Sequence, residues 1–223
     1  MRKQLVLLES YPPLLNRLLL ALDAYPIKTK EEWGAIVMEH WKTDSFGLPY
    51  DFEWDNTHQW DSAMAWRGED GNYDPDMTDL ACHYIKSYGF QITDDNSRVK
   101  DFDAIVNLCQ ERGWCLDFNL MAENVDKDNA LVGKDLMFLM QRNRVYLHNR
   151  YGHLDNVSIV DNFDFVCDAE FVDQNWTTEH YYEYGRRLIA HHLAQTLKEF
   201  YPNDYHDPDS LRFAKRRGDT LQP

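Results

Sequence analysis

WCLDFNLM (residues 114–121) and VSIVDNFDFV (157–166) are the segments whose reading decides the fold. Both are short apolar runs with aromatic or β-branched members, as in strands of a covered sheet. Around them stand helical patterns. Residues 77–88 read as a helix closed by Gly89, and VKDFDAIVNLCQER (99–112) as another. In the latter, Phe102, Ile105, Val106 and Cys109 share one face, and Gly113 serves as C-terminal cap. A long helix covers residues 134–151, after a loop at AENVDKDNALVG (122–133). Helix, strand, helix, strand, helix at this spacing predicts an α/β fold with a parallel sheet and helices on its faces. Ligands in such sheets bind beyond the carboxyl ends of the strands. Chemistry is therefore expected in residues 9–13, 122–129 and 161–180.

The last of these runs into FVDQNWTTEHYYEYGRRLIAHHLAQTLKEF (171–200), where Leu188, Ile189, Leu193 and Leu197 form one helical face. Thr177 or Thr178 can cap this helix, with Glu179 in its first turn. His180 is then expected at a helix N-terminus, where the dipole keeps the imidazole neutral, the form a general base needs. The simpler alternative is a capping or surface histidine.

At the amino end, QLVLL (4–8) reads as a buried strand broken by Tyr11-Pro12-Pro13, and residues 14–22 as a helix. Residues 26–80 hold five of the seven tryptophans and no convincing strand, although 31–41 suits a helix. This long excursion has the character of a lid or binding loop, or of a satellite core built from the tryptophans. Its acidic tract (69–76) fails as a calcium loop. Counted from Asp70, the sixth and twelfth places hold Pro75 and Ala81 instead of Gly and Glu. The tail after Tyr201 is polar.

The 223 residues suffice for one domain, expected at 1–201 with the insertion at about 26–80, followed by a tail at 202–223. A net charge of -15 argues against nucleic acid or an anionic membrane surface as partner. No apolar run spans a bilayer, and the stretch before Glu9 is too short for the apolar region of a signal peptide. Cys82, Cys109, Cys115 and Cys167 lack CxxC spacing. Cys109 and Cys115 lie near enough in sequence to approach, but buried free thiols are the expectation. His191 and His192 point about 100° apart on a helix, so no metal site is expected, nor any cofactor. Walker A, GxGxxG, HExxH and GxSxG motifs are absent.

The order W-x-L-D-F-N strand, helix with Asn143, V-x-x-V-D strand, then Asp173, His180 and Gly185 resembles the C-terminal half of the SGNH/GDSL hydrolase superfamily. NLMAENVDKDNALVGKDLMFLMQRNRVYL (119–147) and DQNWTTEHYYEYGRRLIA (173–190) are similar to SGNH-like bacterial cell-envelope proteins, such as the D-alanyl-lipoteichoic acid transfer family. The resemblance covers roughly residues 100–200. It implies a three-layer α/β/α, flavodoxin-like fold and a serine esterase or acyl-group transferase acting on an esterified cell-envelope glycan, at an extracytoplasmic location. Ser10 would be the nucleophile, His180 the base and Asp173 its orienting acid, by the logic of the activated serine. Trp54, Trp60, Trp66, Asn124 and Trp176 would hold the substrate. The alternative on the same fold is a non-catalytic carbohydrate- or partner-binding module.

The chain departs from the family pattern twice. The family's acid usually stands three residues before the histidine, where this chain has Thr177; Asp173 serves only if the 174–176 turn folds back. No GDS motif occurs, and two placements of residues 4–10 are open. As first strand, the segment makes Ser10 the nucleophile. As third strand, it leaves the nucleophile segment missing, and the chain is a fragment or a degenerate member with half a site.

Overall fold

The computed structural model describes residues 29–43 and 45–200. The segments read as a strand at 4–8, a helix at 14–22 and a polar tail lie outside the described residues, as does Ser10. The chain divides into two compact units, residues 1–43 and 44–223. In the first, helix α1 (Lys30–Thr43) opens on a reciprocal cap. The Thr29 amide donates to the Glu32 carboxylate at 2.6 Å, and the Glu32 amide donates to Thr29 Oγ1 at 3.2 Å, so two otherwise orphaned donors are satisfied.

The second unit is mixed α/β and mostly helical, with a small parallel sheet. It runs α2 (Thr57–Ala63), α3 (Pro75–Tyr88), α4 (Ser97–Arg112), β1 (Leu116–Leu120), α5 (Val125–Leu131), α6 (Lys134–Tyr151), β2 (Val157–Asp161) and α7 (Glu183–Phe200). β1 and β2 pair in parallel from Leu116↔Val157 to Leu120↔Asp161. They are the whole sheet among the described residues, shorter than the runs at 114–121 and 157–166 suggested. A parallel pair needs a crossover, which α5 and α6 supply. The segment expected as a loop at 122–133 therefore contains a helix. Asn124 caps it by accepting from the Lys127 amide at 3.2 Å.

Caps explain the other boundaries. Asp74 accepts from the Met77 amide at 3.0 Å with Pro75 in the first turn of α3. Gly113 takes φ +64°, a left-handed conformation that ends α4 and that a side chain would strain. The main core joins α3 to α6: Leu80, Tyr84, Ile85, Leu136, Leu139 and Met140 pack with Phe46, Trp60 and Phe163. Asn143, buried on α6, ties down the loop after α3 by accepting from the Ile92 amide at 2.8 Å and donating to the Phe90 carbonyl at 2.9 Å. A second cluster, Ala122, Val166, Phe171, Tyr181 and Ile189, lies under the loops at the carboxyl ends of the strands. The acidic tract is a tight turn, with Asp70 accepting from the Asn72 amide at 2.9 Å between the paired Arg67 and Tyr73.

All four cysteines are free. Cys109 is buried and Cys82 half-buried, its thiol pushed up to about 12 by burial. Cys115 and Cys167 are exposed, contrary to the expectation of buried thiols.

Candidate functional site

The segment after β2 does not continue into a helix at Thr178. Phe171 and Tyr181 pair as an antiparallel bridge, the Val172 amide donates to the His180 carbonyl at 2.8 Å, and α7 begins only at Glu183. His180 thus sits at the base of a small hairpin, three residues before the helix, and the dipole argument for its neutrality does not hold. Thr178 is no cap. Its hydroxyl donates to Asp173 Oδ2 at 2.8 Å.

The hairpin brings Asp173 to His180. Gln174 folds the turn back: its Nε2 donates to the Phe171 and Asp168 carbonyls at 2.9 and 3.0 Å, and Lys127 Nζ donates to its Oε1. Asp173 Oδ2 then stands 2.6 Å from His180 Nδ1. The bonds from Thr178 and His180 hold the Asp173 carboxyl below its ordinary range. An ionised carboxylate only accepts, so Nδ1 carries the proton. In the neutral ring Nε2 is then the free lone pair, the atom a general base uses. The His180 side chain is 72% exposed, within reach of a solute. Thr177 has its hydroxyl 3.2 Å from Ser87 Oγ.

A cleft of about 230 Å³ opens at the carboxyl ends of β1 and β2, with neither His180 nor Asp173 in its lining. Its walls are largely apolar, with Phe90, Leu120, Met140 and Phe163 among them; Ser87, Tyr88 and Glu123 add polar groups. The position is the one expected for a ligand of a parallel sheet. Tyr181, the neighbour of His180, is anchored in the second cluster by its hydroxyl, which donates to the Ala122 carbonyl at 2.8 Å.

Two carboxyls in this region were not singled out from the sequence. Burial pushes Glu123 up to about 7, against a hydrogen bond from the Tyr88 hydroxyl and with repulsion from Glu179. Asp128 on α5 is fully buried, and neither of its carboxylate oxygens has a hydrogen-bond partner. Burial, with Glu123 adding repulsion, pushes it up to about 8. One signal was legible: Val125, Asp128 and Val132 share a helical face, so an acid stands in an apolar stripe. Among the described residues no group of three or more His, Cys, Asp or Glu is arranged to hold a metal ion.

The assigned substrate residues are scattered. Trp60 is 5% exposed, its ring packed edge-on with Phe46 and Phe52 at 5.6 and 4.9 Å, so it is unavailable to a sugar. Trp54 and Trp66 are half-buried, Trp54 against the same core. Asn124 is buried: besides capping α5 it donates to Asp168 at 2.7 Å. Trp176 is 53% exposed, with its ring 3.9 Å from that of His83. No serine hydroxyl is hydrogen-bonded to His180 among the described residues, and Ser10 lies outside them.

Fold and site together define a class: a mixed α/β protein with an exposed histidine–aspartate pair on a hairpin, and a cleft of separate lining at the carboxyl ends of two parallel strands. No protein-family model, curated protein or solved structure matches the chain. Among the described residues no helix is long and apolar enough to cross a membrane.

Proposed function

We propose that the chain is an esterase or acyl-group transferase of SGNH type, with His180 as general base and Asp173 as the acid that orients it. The observation that carries the reading is the 2.6 Å contact between Asp173 Oδ2 and His180 Nδ1, which leaves Nε2 free on an exposed ring. The base takes a proton from a hydroxyl as that oxygen attacks an ester carbonyl, then returns it to the leaving alcohol. The proposal includes the nucleophile Ser10, an esterified cell-envelope glycan as substrate, and a three-layer α/β/α fold whose parallel sheet contains β1 and β2.

Fluorophosphonate labelling of the full chain, followed by peptide mapping, tests the covalent step. The expected adduct is on Ser10, and it disappears in His180→Ala. A folded chain that takes no label contradicts a serine nucleophile.

The second reading is a non-catalytic carbohydrate- or partner-binding module on the same fold. It is favoured by Trp176, an exposed indole beside His83 that offers a face for stacking.

A further inference from the structure

Among the described residues lining the apolar cleft, one charge is not taken up by an opposite charge, and it is negative. Arg144 borders the same space, but its guanidinium is taken up by Asp161 at 2.6 Å and Asp164 at 3.2 Å. Asn143 spends both ends of its amide on the backbone at Ile92 and Phe90. Among the described residues Glu123 receives one side-chain hydrogen bond, from the Tyr88 hydroxyl to Oε2. The groups facing Glu123 are Tyr84 and Tyr88 from α3, Asp128 from α5, and Glu179 and Tyr181 from the hairpin. Apart from the neutralised Arg144, they offer no positive charge and two further carboxyls.

We propose that this cleft binds a hydrophobic primary amine, with the ammonium on Glu123 and the apolar part against Phe90, Leu120, Met140 and Phe163. A carboxylate drawn out of water is costly alone and is compensated by one close cation. The net charge of -15 acts in the same sense at long range. Two donors beyond the Tyr88 bond are what an ammonium supplies and a neutral alcohol does not. The site stands apart from the hydrolase reading: it uses neither His180 nor Asp173.

Ionisation of Glu123 links binding to protons. Burial pushes Glu123 up to about 7, so near neutral pH the fraction still protonated must release its proton to pair with the amine. Affinity therefore rises between pH 6 and pH 8.

The test is titration calorimetry of the full chain with benzylamine, and with benzyl alcohol as its neutral counterpart. Benzylamine is expected to bind at least about tenfold tighter than the alcohol at pH 8. At pH 7, comparing buffers of different ionisation enthalpy should show proton release on amine binding, smaller at pH 8 than at pH 7. Glu123→Gln should reduce the amine to the affinity of the alcohol. The buffer comparison needs no variant and decides the matter even if Glu123→Gln does not fold. Equal affinities for amine and alcohol, no heat with either, or binding without proton release would each overturn the proposal.

Discussion

Asp173 reaches across the hairpin to hold His180, seven positions on, through Nδ1 at 2.6 Å, while Thr178 donates to the same carboxylate oxygen. This shared oxygen fixes both the tautomer and the direction of the ring. Asp173→Asn is expected to turn the ring, because an amide can donate to Nδ1 and leave the proton on Nε2. Hydrolysis of a small chromogenic ester should fall by about 10²-fold or more. Thr178→Val should cost less than Asp173→Asn, since the acid itself remains. Stopped or steady-state kinetics on both variants checks the order; equal losses would deny Asp173 the larger part.

The buried carboxyls set a pH dependence. For both Glu123 and Asp128 the folded value lies above the unfolded one, so between about pH 4 and pH 8 the native state binds more protons than the unfolded chain. Their effect is a loss of stability as pH rises through that window, complete above about pH 8. Asp128→Asn, which mimics the protonated acid, is expected to flatten this fall and to raise the midpoint of urea unfolding at pH 8.5. A slope identical to wild type would show that Asp128 is ionised, or neutral, throughout.

Asn124 is expected to matter for stability first. Its side chain closes the first turn of α5 and donates to Asp168, so Asn124→Ala leaves a helix amide and a carboxylate short of partners. The cost should be about 1–3 kcal/mol by chemical denaturation. A change within 0.3 kcal/mol by the same measurement would contradict this account of the cap.

Two tryptophans are expected to behave oppositely. Trp60→Ala opens the packing between Phe46 and Phe52 and should cost about 3–5 kcal/mol. Trp176→Ala should change stability by less than about 0.5 kcal/mol, because its ring lies on the surface. It should instead remove any fluorescence shift on titration with envelope polysaccharides. A Trp60→Ala chain as stable as wild type would mean that the ring is not part of the core.

The sequence carried the long helices and the two strands and lost the short helices. Helix α6 runs over residues 134–151 as read, because Gly133 and Gly152 bracket a sustained pattern. The start of α7 was misread because two threonines before an acid look like a cap. In the fold, Thr178 is claimed by Asp173 and the backbone at Tyr181 by Phe171, tertiary contacts with no local signature. Helix α5 has only seven residues, too few for periodicity to declare, and depends on its Asn124 cap. Asp173 was named from the sequence on condition that the 174–176 turn folded back, which the hydrogen bonds of Gln174 accomplish. Glu123 and Asp128 escaped notice because nothing in their own type marks a carboxyl as buried. Only the crossover that places α5 under the loops decides it.

The account turns on His180 as a base, and one comparison measures it most directly: kcat/KM for a small chromogenic ester, wild type against His180→Ala. The ring is exposed, so the variant should keep the wild-type unfolding midpoint while kcat/KM falls by about 10²–10⁴-fold. A folded variant that turns over ester at the wild-type rate would contradict the account.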